Sequence, residues 1–165
     1  MEMSTNAAEV RHWAEEVLAA AERVRDAHFR LVWLAGGTSH ERSSILDASA
    51  EALECPSLKV GRRLSEALLD LSPRLRAASA EEAFQDILLS ATSDVVCLDH
   101  LEVLFDLSLR INAVDLIQNA SRRFVLIASW PGLHHNASLS FGPSGHPACV
   151  QEPLDQLGAS LITLS

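Results

Sequence analysis

Three runs of uninterrupted apolar side chains, Leu31–Leu34, Val95–Leu98 and Phe124–Ala128, constrain this chain more than any other feature. None alternates apolar with polar residues, as a strand with one wet face would. Such runs, bounded by polar or turn residues, suit strands covered on both faces inside a parallel sheet. The first run is broken by Gly36 and Gly37 and followed at once by SSILDASAEAL, so it reads as strand, tight turn and helix. With Leu58–Val60 and Ser160–Leu164 as shorter candidates, the pattern predicts an α/β fold of three layers around a mostly parallel, five-stranded sheet.

The segments between these strands predict helices. Asn6 followed by Glu9 can cap an amphipathic helix carrying Val10, Trp13, Val17, Leu18, Ala21 and Val24. Residues 1–28 are therefore an amino-terminal helix belonging to the same domain as residues 29–165. The helix with Ile45, Leu46, Ala52 and Leu53 must end by Pro56. Gly61 turns into a further helix with Leu64, Ala67, Leu68 and Leu71 on one face, closed by Pro73. Ser79 and Glu82 stand at capping-box spacing and predict the start of another helix that runs to about Thr92. Residues 113–120 predict a helix, and Leu133–Gly145, rich in Gly, Ser, His and Asn, a loop.

A chain of 165 residues with 48% hydrophobic and 21% charged residues suits one domain with a covered sheet. Its formal charge of −9 argues against a surface that grips duplex DNA alone. The start MEMSTNAAEV lacks the regions of a signal peptide, and no run approaches the ~18 apolar residues of a membrane span. A cytoplasmic protein with no membrane partner is expected. Cys55, Cys97 and Cys149 are odd in number and far apart in the chain, so reduced thiols are expected. His134, His135, His146 and Cys149 lack the paired spacing of a zinc site.

The Gly-Gly turn also matches a motif with chemistry. In register with G-x-x-x-x-G-K-[S/T], Gly36 takes the first position and Gly37, Thr38, Ser39 and His40 fill the loop. Glu41 stands where the second glycine belongs, Arg42 replaces the lysine, Ser43 keeps the hydroxyl and Ser44 follows. In that loop backbone N–H groups cradle phosphates, the lysine reaches the terminal phosphates and the hydroxyl holds Mg²⁺, so ATP and Mg²⁺ are the cofactors it suggests. Glu41 points negative charge at a polyanion, and the planar fork of Arg42 is a poor copy of an ammonium. Both changes argue against hydrolysis.

Asp99 closes the second apolar run, in the crevice where open parallel sheets bind ligands, and is the second candidate for Mg²⁺ beside Ser43. Glu102 is placed to polarise an attacking water. Ser129, at the end of the third run, sits where additional-strand ATPases keep a phosphate-sensing side chain. Arg122 and Arg123 can supply a finger to a neighbouring subunit of a homo-oligomer.

The order of these elements, with VVCLDHLEVLFD, SRRFVLIASWPG and FGPSGHPACV as its most specific parts, resembles the BrxF family. These are small P-loop proteins of BREX bacteriophage-exclusion operons, and the resemblance covers roughly residues 29–165. It implies a P-loop NTPase fold of the AAA-like, additional-strand (ASCE) type with sheet order 5-1-4-3-2. It puts Gly36, Arg42 and Ser43 at the phosphate-loop positions, Asp99 at the magnesium aspartate and Glu102 at the acid beyond it. It also implies a role in phage defence beside other BREX proteins. Three functions stay open. The first is a BREX subunit with a degenerate nucleotide site, acting through protein partners. The second is a working ATPase using Arg42, Ser43, Asp99 and Glu102. The third is a nucleic-acid adaptor using Arg62, Arg63, Arg74 and Arg76, with DNA an indirect partner at most.

Overall fold

The computed structural model describes residues 6–135, 138–142, 149–153 and 159–165. In chain order these form α1 (Ala7–Val24), β1 (Leu31–Gly36), α2 (Ser39–Leu53), β2 (Ser57–Lys59), α3 (Val60–Leu68), α4 (Pro73–Ser90) and β3 (Val95–Asp99). Two 3₁₀ turns, Glu102–Phe105 and Leu107–Leu109, lead to α5 (Ala113–Ala120) and β4 (Val125–Ser129). Then follow β5 (Leu133–His135), β6 (Ser138–Phe141), β7 (Val150–Pro153) and β8 (Ser160–Leu164).

The continuous apolar runs behave as a doubly covered sheet requires. The five-stranded sheet has the order β2-β3-β4-β1-β8, and every neighbouring pair is parallel. Counting its strands alone along the chain, that is the expected order 5-1-4-3-2. Successive side chains point to opposite faces. Leu31, Trp33, Ala35, Val96, Leu98, Leu126 and Ala128 join one core with residues of α3, α4 and α5. Val32, Leu34, Cys97, Val125 and Ile127 join a second core with α1 and α2. Both faces are apolar because both are buried. The amino-terminal helix is part of this packing, through Val17, Ala20, Ala21 and Val24.

Two boundaries differ from the sequence reading. Val60 already belongs to α3, so β2 ends at Lys59. Pro73 opens α4 rather than closing α3, and Ser72 caps it by accepting from the Leu75 N–H at 3.4 Å. A proline suits the first helical position, where an N–H has no partner. Ser79 and Glu82 therefore lie inside α4. What ends α3 is Arg76, whose guanidinium donates to the carbonyls of Leu68 and Leu69, each at 3.1 Å.

The segment expected as a loop is an antiparallel hairpin, β5 with β6, extended by β7. Its strands are short and polar, and tertiary contacts hold it in place. The Trp130 indole donates to the Ser140 carbonyl at 3.0 Å. Gly132 passes so close that a Cβ there would run into the same carbonyl. Trp33, Trp130, Phe105 and Phe141 form a chain of ring contacts, with centroids 5.2, 5.4 and 4.7 Å apart. The Gly-His-Pro segment at 145–147, quoted for the resemblance, lies outside the described residues.

Gly36 is required by the sheet itself. It has φ +83°, and a Cβ would stand 2.6 Å from the Leu164 carbonyl of β8. Gly36→Ala is expected to lower stability by roughly 2–4 kcal/mol, through left-handed strain plus displacement of β8. Urea unfolding measures this, and an unchanged midpoint would show that β8 is not seated against β1 at that point.

Candidate functional site

The carboxyl ends of β1, β3 and β4 meet the amino end of α2, and the side chains there form one connected network. Its floor is the β1–α2 turn. Gly36 and Gly37, with φ +83° and +61°, reverse the chain, and Thr38 caps α2. Thr38-x-x-Glu41 has the spacing of a capping box, and its first half is made: the Thr38 hydroxyl accepts from the Glu41 N–H at 3.1 Å. The Arg42 N–H donates to the Thr38 carbonyl at 3.0 Å. The Glu41 carboxylate leans back over Gly37, where a Cβ would meet its Oε2 at 2.9 Å.

This local choice has a large consequence. A phosphate loop needs the residues between its two glycines outside the helix, with their N–H groups pointing at the ligand. Here Ser39, His40, Glu41, Arg42, Ser43 and Ser44 are all helical. Ser39 and His40 are exposed in the first turn, and the N–H groups of Glu41 and Arg42 are engaged by Thr38. Thr38 and Glu41, read above as loop positions, are also a helix-start signal that was legible in the sequence.

Arg42 turns inward. Only 5% exposed, its guanidinium donates to the carbonyls of Gly36 at 2.7 Å and Gly37 at 3.2 Å, and to the Ser129 hydroxyl at 3.0 Å. It thus ties the end of β1 to the end of β4 from within α2. Burial lowers its pKa, against the charges of Asp99, Glu102 and Glu41, which favour the cation.

Asp99, 3% exposed, is the second centre. Its Oδ2 accepts from the Ser43 hydroxyl at 2.6 Å and from the Lys59 ammonium at 3.2 Å. Its Oδ1 accepts from the His100 N–H at 2.9 Å, a bond made with His100 at φ +55°. Lys59 also reaches Asp47 at 3.2 Å. It is the only lysine of the chain, and the sequence reading overlooked it. The signal was weak: a lone lysine at the end of a three-residue strand, brought to Asp99 only because β2 pairs with β3. Burial works against the Lys59 ammonium. Its hydrogen bonds and charge contacts with Asp99 and Asp47 outweigh burial, so its pKa is raised.

The structure gathers Gly36, Gly37, Arg42, Ser43, Asp99 and Ser129 into this network and adds Lys59. Glu102 opens the 3₁₀ turn beyond β3 and is exposed. Arg122 does not join. It precedes β4 at the opposite end of that strand from Ser129, and its carbonyl accepts from the Arg30 guanidinium at 2.7 Å. Arg123 stacks over Phe124 at 5.6 Å. In the basic cluster, Arg62 pairs with Glu66, Arg63 with the Ser90 hydroxyl, and Arg76 with the end of α3.

The residues present do not fit a magnesium nucleotide in this arrangement. Two of the N–H groups a cradle would use, those of Glu41 and Arg42, bond to Thr38 instead, and the Arg42 guanidinium fills the turn. An ammonium shares with Ser43 the carboxylate oxygen a hydrated Mg²⁺ would need. Among the described residues no cluster of three or more His, Cys, Asp or Glu is placed to hold a metal. Nor is any described helix long and apolar enough to cross a membrane.

Fold and crevice define an α/β domain with a parallel sheet and a self-bonded polar network at its carboxyl edge. No family model, curated protein or solved structure matches the chain.

Lys59 gives a pH signature. Its folded pKa lies above the ordinary value, so its contribution is complete below about pH 10 and is lost as pH rises through the raised pKa. Thermal midpoints of the native chain are expected to fall as pH rises above about pH 10, relative to Lys59→Met, which lacks this titration. The chain has no tyrosine to confuse the comparison. Parallel pH curves for the two proteins would mean that Lys59 does not pair with Asp99 in solution.

Proposed function

We propose that this chain is a P-loop-type domain that keeps the architecture of a nucleotide-binding protein and works as a partner-binding subunit without nucleotide turnover. The sheet order, the glycine turn after β1, the acid at the end of β3 and the serine at the end of β4 support the P-loop assignment. The inward Arg42 carries the non-hydrolysing reading. It donates into the turn where a lysine would have to reach out of it. The resemblance to BrxF supports placing the subunit in a BREX phage-defence system, with other BREX proteins as partners. Exposed leucines support contact with protein: Leu69, 68% exposed, borders a recess with Val103 and Leu109, and Leu107 is 59% exposed.

The competing ATPase reading needs Arg42 to leave the turn, the first turn of α2 to unwind and Lys59 to release Asp99 together. Nothing in the geometry favours that rearrangement. Calorimetry with MgATP and MgADP on the purified chain, beside Asp99→Ala and Arg42→Ala, tests the proposal. No heat and no thermal shift at millimolar nucleotide is the expected result. Micromolar binding that both variants abolish would overturn it and restore the ATPase. Apart from nucleotide, Arg42→Ala is expected to lose about 2 kcal/mol of stability by urea unfolding, because the buried Ser129 hydroxyl and Gly36 carbonyl lose their donor.

A further inference from the structure

A different pair of side chains, outside the polar network, carries its own chemistry. Cys55 follows Glu54, which ends α2 in the left-handed conformation at φ +53°, and the Cys55 N–H returns to the Ala50 carbonyl at 3.0 Å. Cys97 is the central residue of β3 and fully buried; its N–H donates to the Pro56 carbonyl at 3.0 Å. These backbone bonds aim the two sulfurs at each other, and the Sγ atoms are 4.0 Å apart as free thiols. A disulfide needs about 2.05 Å, a closure of roughly 1 Å from each side by side-chain rotation. Two cysteines distant in sequence are thereby set face to face across the start of β2.

We propose that Cys55 and Cys97 are a redox pair that closes an intramolecular disulfide when a hydroperoxide oxidises Cys55. Cys55 is half-buried and within reach of a small oxidant, whereas Cys97 is fully buried. Cys55, the more exposed of the two, is the thiol an oxidant meets first, and the contact with Cys97 lowers its pKa against the opposing effect of burial. In the first step the Cys55 sulfur attacks a peroxide oxygen. The O–O bond breaks, the alcohol or water leaves, and Cys55 becomes a sulfenic acid. In the second step the Cys97 sulfur attacks the Cys55 sulfur. The S–S bond forms, the S–O bond breaks, and the hydroxide departs with the Cys97 proton as water. Two thiols are oxidised by two electrons in all, and one peroxide is reduced.

The position gives the bond a consequence. Among the described residues β2 is an edge strand of three residues paired with β3 alone, and its last residue is Lys59. A disulfide just before Ser57 pins the start of that strand to β3 and holds Lys59 against Asp99. Oxidation then stiffens the polar network from its back, whether or not that network meets nucleotide. A thiol pair that is reduced in a reducing compartment and closes under oxidant is a sensor arrangement rather than a structural bridge.

The test uses the full chain with Cys149→Ser, which leaves only the pair. After stoichiometric hydrogen peroxide the intact mass should fall by about 2 Da, and both thiols should vanish from alkylation under denaturing conditions. Peptide mapping should find Cys55 joined to Cys97, and dithiothreitol should reverse all three changes. The oxidised chain should melt roughly 5 °C higher, since the bond closes a long loop. A gain of about 32 Da on Cys55 with Cys97 still alkylated, or a covalent dimer through Cys55, would overturn the proposal. Cys55→Ser, a replacement of one small side chain at the edge of the second core, checks the order of events. There Cys97 should stay reduced at the same peroxide dose, and its oxidation in that variant would refute Cys55 as the point of attack.

Discussion

Asp99 is a carboxylate buried at the end of an inner strand, and an unpaired charge in that position would be untenable. Its satisfaction draws three elements to one point. α2 supplies the Ser43 hydroxyl, β2 supplies the Lys59 ammonium, and the turn after β3 supplies the His100 N–H. The last of these is obtained at a left-handed φ, so the backbone carries local strain to complete the acid's hydrogen bonding. Asp99 also helps hold the charge of Arg42, which crosses from α2 to the ends of β1 and β4. The order of the sheet and the seating of α2 are therefore coupled through a few polar atoms at one edge.

Chemically, the same edge is balanced within the chain. An arginine and a lysine there spend their charges on groups of the chain itself. Arg42 can do this because its guanidinium carries several donors in a plane, enough to bond two carbonyls and a hydroxyl at once. An ammonium on the same stem would be a point charge with no such geometry. The helix cap completes the closure. Once Thr38 and Glu41 start α2, the residues from Ser39 on are helical instead of wrapped as a loop, and two of their N–H groups bond to Thr38.

Most of the sheet was legible in the sequence. Val95–Leu98 and Phe124–Ala128 lie in β3 and in β4 with the residue before it, and Ser160–Leu164 is β8 as read, because a strand covered on both faces needs apolar residues at every position. α5 also came out at residues 113–120. The hairpin of β5 and β6 was missed because its strands are short and polar; Trp130, Gly132 and Phe105 hold it from elsewhere in the chain. Pro73 was misread because a proline both ends one helix pattern and suits the first residue of the next.

For the site, the sequence by itself determined which groups stand at the strand ends, Gly36, Asp99 and Ser129, and which stand in the helix after β1, Arg42 and Ser43, because spacing puts them there. Spacing is a local property and survives into the fold. What those groups bond to was decided only by the tertiary structure. Lys59 reaches Asp99 because β2 lies beside β3, and Arg42 reaches Ser129 because β4 lies beside β1. Cys55 and Cys97 face each other for the same reason as Lys59 and Asp99. Long-range strand pairing sets all three contacts, and no pattern confined to neighbouring residues encodes it.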